Sequence, residues 1–210
     1  MTKRVRRLKT WPIVTLFCVV IFGILIYCLF DIYKSLKNSN AKEVKIVSEI
    51  KDYGYTLDET DSKLVSSNFS KLKDVLSSDI VDYEKYATYL SIIFLADFYS
   101  LDTAISKNDI GGIQFVYSKK QESFKIQAKN SIYRYVESNI YDDRKQKLPL
   151  VSDVKINNIT SKLYSSDEVT DSKAFYIDAS LSYFEDLDYP KDVSLVVVHE
   201  DNKLSVAVVK

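Results

Sequence analysis

The chain has 210 residues, with 29 Lys and Arg set against 29 Asp and Glu, so its formal charge is zero. No basic stripe runs through it, which excludes the electrostatic footprint of a DNA- or RNA-binding protein. Its two cysteines, Cys18 and Cys28, both lie in one apolar run, so nothing after that run can form a disulfide or a thiolate metal site.

Residues 1–9 are a basic tail holding Lys3, Arg4, Arg6, Arg7 and Lys9. Thr10 to Phe30 follows, 21 residues without a charge. As a helix it would rise about 31 Å at roughly 1.5 Å per residue, close to the hydrocarbon thickness of a bilayer. The pattern predicts a transmembrane helix over 10–33. Trp11 and Pro12 stand at its entry, and Tyr27 and Tyr33 near its exit, where interfacial aromatics and a first-turn proline belong. A cleaved signal peptide would carry a shorter apolar core and small residues at the cut. Here the exit reads Ile26-Tyr27-Cys28-Leu29-Phe30, so the segment is expected to stay as an anchor. The cation bias puts the N-terminus in the cytoplasm and exports the remainder from the cell membrane.

Residues 34–51 read as a polar stalk, either continuing the helix or extended. Residues 52–210 are one domain's worth of chain. After Phe30 there are 24 cations against 29 anions, a formal charge of about −5. Lys, Asn, Ile, Tyr and Ser are abundant and Gly and Pro scarce, a composition typical of low-G+C bacteria.

Asp52 to Leu57 reads as a short extended piece. Val65, Phe69, Leu72 and Leu76 recur at helical spacing, with Asp58 to Asp61 offering a cap. A second helix is predicted over 82–105. Its middle, Tyr86 to Leu101, is apolar almost all round with one charge, Asp97, so it belongs at the centre. Gly111-Gly112 breaks the pattern. A third helix is predicted over 118–138. After Pro149 the period drops to two. Val151 to Tyr164 slips phase, as a bulged strand does. Phe175, Ile177, Ala179, Leu181 and Tyr183 alternate with polar residues. Val193, Leu195, Val197 and Leu204, Val206, Val208 form two further strands joined through Glu200-Asp201-Asn202-Lys203, a hairpin turn. The fold class is therefore α+β: one membrane helix, then about three helices packed on a curved antiparallel sheet of about four strands.

Three helices with a buried middle one, followed by a curved sheet with a bulged first strand, resemble the cone-shaped nuclear-transport-factor-2-like superfamily. With the N-terminal anchor added, the layout resembles the inner-membrane scaffold subunits of type IV secretion and conjugation machines. That resemblance implies a scaffold role among envelope proteins, although the superfamily also holds isomerases and small-ligand binders.

The residues suggest no named chemistry. His199 is the lone histidine and reads as a surface residue at a strand end. No H-E-x-x-H, nucleophile elbow or phosphate loop occurs, so no metal, cofactor or catalytic residue is assigned and no enzyme is expected. Asp97 is the one candidate ligand-binding residue. A buried carboxylate needs a partner or a proton; Asp97 serves either as a hook inside a cone or as a pin for its helix through the Gly111-Gly112 turn or tyrosine hydroxyls. The expected partners are the lipid bilayer, other envelope proteins and, as an option, further copies of the chain. The function read from the sequence is a membrane-anchored extracytoplasmic interaction module, with a small-ligand or isomerase-like cone using Asp97 as the alternative.

Overall fold

The computed structural model describes residues 20–30 and 45–210. Residues 20–30 are helical, and their side chains are exposed. Among the described residues no helix is long and apolar enough to cross a membrane. Of the span expected over 10–33, the parts holding Trp11, Pro12 and Tyr33 lie outside the described residues. So do the tail cations and residues 34–44.

Lys45–Lys210 form a compact unit of their own. It opens with a hairpin whose pairing no alternation in the sequence foretells. Strand β1 (Ile46–Ile50) runs antiparallel to β2 (Tyr55–Asp58). The turn between them is tight because Gly54 adopts φ +67°, a left-handed conformation that costs glycine nothing. Toward its end the expected stalk is thus extended, and Ile50, one residue before its limit, is buried in the core.

Helix α1 (Lys63–Leu76) starts one residue later than the acids suggested. Ser62 is its cap, accepting from Val65 N–H at 3.2 Å, a contact worth about 1 kcal/mol. Asp61 instead accepts from Asp58 N–H at 2.7 Å. The face buried is the expected one: Val65, Phe69, Leu72 and Leu76.

Helix α2 (Tyr83–Phe98) is capped by Asp82 and buried on nearly every side. It packs on α1 and on all four strands of the main sheet. It ends at Phe98, short of the predicted Ile105. Beyond it, Ser100 Oγ donates to Ala96 O at 2.5 Å and accepts from Val151 N–H at 3.1 Å, while Asp102 N–H donates to Pro149 O at 3.2 Å. The Asp102 N–H that would have continued the helix is spent on Pro149, just ahead of the sheet.

Helix α3 (Gln121–Asn130) is also shorter than predicted. Ser131 leaves helical geometry at φ −119°, ψ −102°. Tyr133 then turns inward, fully buried, and its hydroxyl donates to Phe98 O at 2.7 Å. An uninterrupted helix would have kept Phe124, Ala128, Ile132 and Val136 on one face. The gain from burying a tyrosine outweighs that of two more exposed turns.

The main sheet follows as an antiparallel meander, β3 (Val151–Ser165), β4 (Thr170–Tyr183), β5 (Asp192–Glu200) and β6 (Lys203–Val209), in the order β3-β4-β5-β6. The α+β class and the four-stranded antiparallel sheet are as the sequence predicts. β3 shifts register against β4 at three places, which confirms the phase slip. Two expectations fail in detail. Val196 and Val198 are buried as well as Val193, Leu195 and Val197, so β5 is covered on both faces. The second face packs against Tyr117, Ala174 and Ala207, with Tyr164, Val169 and Tyr176 from the far end of the β3–β4 hairpin. In β6, a register shift puts Val208 opposite Val196 and Val206 opposite Val197. Ala207 is the extra residue, and Val208 joins the second cluster instead of the side that holds Leu204 and Val206.

Candidate functional site

Asp97 meets the turn that the sequence set beside it. Its Oδ2 accepts from Gly112 N–H at 2.6 Å. The neighbouring Gly111 N–H donates to the Tyr133 hydroxyl at 3.2 Å. Neither glycine tolerates a side chain: a Cβ on Gly111 would lie 2.5 Å from Asp97 O, and one on Gly112, at φ +73°, would lie 2.8 Å from the Phe94 ring. Burial, with the nearby Asp61 adding to it, pushes the Asp97 carboxyl up to about 7 against the opposing pull of the Gly112 N–H. Its geometry is that of a pin between α2 and the 111–112 turn.

His199, expected at the surface of a strand end, has a partner there. His199 Nδ1 lies 2.9 Å from Asp171 Oδ2, and the same oxygen accepts from His199 N–H at 2.8 Å. Asp171 Oδ1 accepts from Lys173 N–H at 2.9 Å. Burial pushes the Asp171 carboxyl up, but these N–H groups and the imidazole outweigh it and hold it below the usual carboxylate range. The dyad sits where the β4–β5 ladder stops, since Phe175 with Val197 is its last pair. Asp171 thus takes the backbone donor that the departing strand no longer receives. The ring rests between Tyr83, 5.2 Å away, and Phe175, 6.0 Å away. Among the described residues no serine or threonine is bonded to the imidazole, so the pair lacks the nucleophile that would make it a triad. No periodicity in sequence links positions 171 and 199; the link exists only through strand pairing.

The third feature is a groove of about 460 Å³ along the β6 edge of the sheet. Its floor is β6 from Val206 to Val209. One wall is α3 and the residue before it, with Lys120, Ser123, Phe124 and Gln127. The other is the β3–β4 turn, Ser166 to Glu168. Lys120 reaches across to Glu168, with Nζ 3.6 Å from Oε2. Asp167 has no ion-pair or hydrogen-bond partner among the described residues. The long, bulged β3–β4 hairpin outreaches β5 and β6, and so brings its turn round to this edge.

β6 is the last strand of its sheet. Among the described residues its start and middle are covered: the Leu204 backbone groups pair with the Tyr55 and Tyr86 hydroxyls, and Val116 bridges Val206 in parallel, with Tyr117 N–H donating to Val206 O at 2.9 Å. At Ser118 the chain turns away into α3. At the other end Ser194 and Lys210 exchange both backbone hydrogen bonds, at 3.0 and 2.9 Å. Antiparallel alternation therefore turns the N–H and C=O of Val209 toward the open side.

Of the residues singled out in the sequence, Asp97 lines no part of this groove. Tyr27 is on the exposed helical segment of residues 20–30. The described residues hold no group of three or more His, Cys, Asp or Glu able to take a metal ion. No family model, no curated protein and no solved structure matches this chain.

Proposed function

We propose that this chain is a single-pass, membrane-anchored protein-interaction module of a bacterial cell envelope, with its C-terminal domain outside the membrane. In this reading residues 10–33 cross the bilayer, and the α+β unit is a nuclear-transport-factor-2-like cone that scaffolds other envelope proteins, as in a secretion or conjugation complex. The uncharged run and the five cations ahead of it support the anchor and its orientation. The exposed apolar side chains of residues 20–30 agree with a surface meant for lipid.

The observation that carries the interaction role is the groove at β6. It offers apolar side chains, an unpaired carboxylate and free backbone groups together, the mixture a polypeptide partner requires. The ligand-cone alternative needs Asp97 to face a cavity, and its carboxylate is instead engaged by Gly112 N–H. Exposed Tyr135, Ile140 and Tyr141 add apolar surface on the loop after α3.

Protease added to intact cells is the test. The C-terminal domain should be removed while the N-terminal tail survives. A domain that resists in intact cells and is digested only after lysis overturns the topology, and the envelope role with it.

A further inference from the structure

We propose that the β6 groove takes an extended segment of a partner polypeptide as an added strand, one that alternates apolar side chains and carries a basic residue opposite Asp167. This deepens the interaction reading above and rests on it.

Three observations commit the groove to a strand. First, the edge already accepts one: Val116 and Tyr117 pair in parallel with Val206 before the chain turns into α3. The groove is the continuation of that slot, left empty because α3 diverges from the sheet. Second, Val209 presents an N–H and a C=O to the same slot, following from the doubly bonded Ser194–Lys210 pair. Backbone groups of this kind recognise main chain, not a small apolar molecule. Third, the opposite edge is unsuited to pairing. β3 is broken by three register shifts and carries Asp153, Lys155 and Lys162, the devices that blunt an edge. The β6 stretch of the groove, Val206 to Val209, carries no charge.

Charge sets the partner's chemistry. Lys120 is engaged by Glu168, which leaves Asp167 as the uncompensated charge in the groove. A cation on the incoming strand would meet it.

The test uses the full chain in mild detergent and a fluorescein-labelled peptide, KVTVTVK, titrated by fluorescence anisotropy. Binding should be saturable, and a peptide with proline at its centre should not bind. Val209→Pro removes the outward N–H without touching the inward ladder, and should weaken binding at least tenfold. Asp167→Lys should weaken it several-fold, with the melting midpoint unchanged. Absence of saturable binding, or equal binding by Val209→Pro, overturns the proposal. A wild-type dimer that Val209→Pro dissolves, with no peptide binding, also overturns it and gives the edge to a second copy. Peptide failure leaves the protease-defined topology standing, and a failed topology leaves the titration readable.

Discussion

The hydroxyls of Tyr55 and Tyr86 meet at 2.7 Å inside the core, and Leu204 closes the set. Tyr55 donates to Leu204 O at 2.8 Å, and Leu204 N–H donates to Tyr86 at 3.0 Å. Since the Tyr55 proton is used on Leu204, Tyr86 donates to Tyr55. Every polar atom of the ring is satisfied, and the β1–β2 hairpin, α2 and β6 are tied at one point. Burial raises both phenols, Tyr86 to about 12, so both stay neutral.

Either tyrosine changed to phenylalanine leaves one backbone group of Leu204 without its partner. Each variant should lose about 1–3 kcal/mol, the cost of an unpaired buried polar group. The double variant should lose less than the two losses added, because the single variants strand each other's partners. Urea unfolding of all four proteins measures this. Strict additivity would show that the three groups do not act as a unit.

Asp97 should make stability depend on pH. Its carboxyl is raised from the ordinary value of 3.8 to about 7 in the folded state. Between those values the folded protein binds more protons than the unfolded chain. Stability should therefore fall as pH rises from about 4 to about 7, then level off. At ~1.4 kcal/mol per pKa unit the change is on the order of a few kcal/mol. Asp97→Asn keeps an acceptor for Gly112 N–H and should flatten this slope. An unaltered slope in that variant would assign the pH dependence to other groups.

Ser91 is fully buried in α2, and its hydroxyl has no hydrogen-bond partner among the described residues. Replacing it with alanine removes an unsatisfied group at little cost in volume and raises helix propensity. Ser91→Ala should gain about 1 kcal/mol in chemical denaturation. A loss instead would reveal a partner for the hydroxyl.

Arg144 holds the segment after α2. Its guanidinium donates to Asp102 O at 2.5 Å and to Ala104 O at 2.7 Å, with the side chain 3% exposed. A lysine has no planar fork with which to serve both carbonyls. Arg144→Lys should cost about 1–3 kcal/mol and speed amide hydrogen exchange at residues 101–105. Unchanged exchange there would mean that other contacts hold the segment.

Periodicity made much of the fold legible. The buried face of α1, the greasy centre of α2, the bulged β3 and the β5–β6 hairpin all follow from which side chains must leave water. Helix ends were less legible. α2 stops where Ser100 and Asp102 bond across to Val151 and Pro149, and α3 stops so that Tyr133 can be buried. Those partners are distant in sequence, and local propensity carries no trace of them. The glycine turn was legible as one of two partners open to Asp97, because a half-buried carboxylate needs a donor and that turn supplies one.

The groove and the Asp171–His199 contact were not legible at all. An alternating strand looks the same in sequence whether its edge is paired or open. One extra residue, Ala207, reverses the face of Val208 without altering the apolar pattern. The order of residues thus decides which side chains seek the interior, for hydrophobic burial is a property of each side chain and its spacing. Only the packed chain decides which backbone edge stays unpaired and which distant charges meet, because both depend on where strands stop relative to one another.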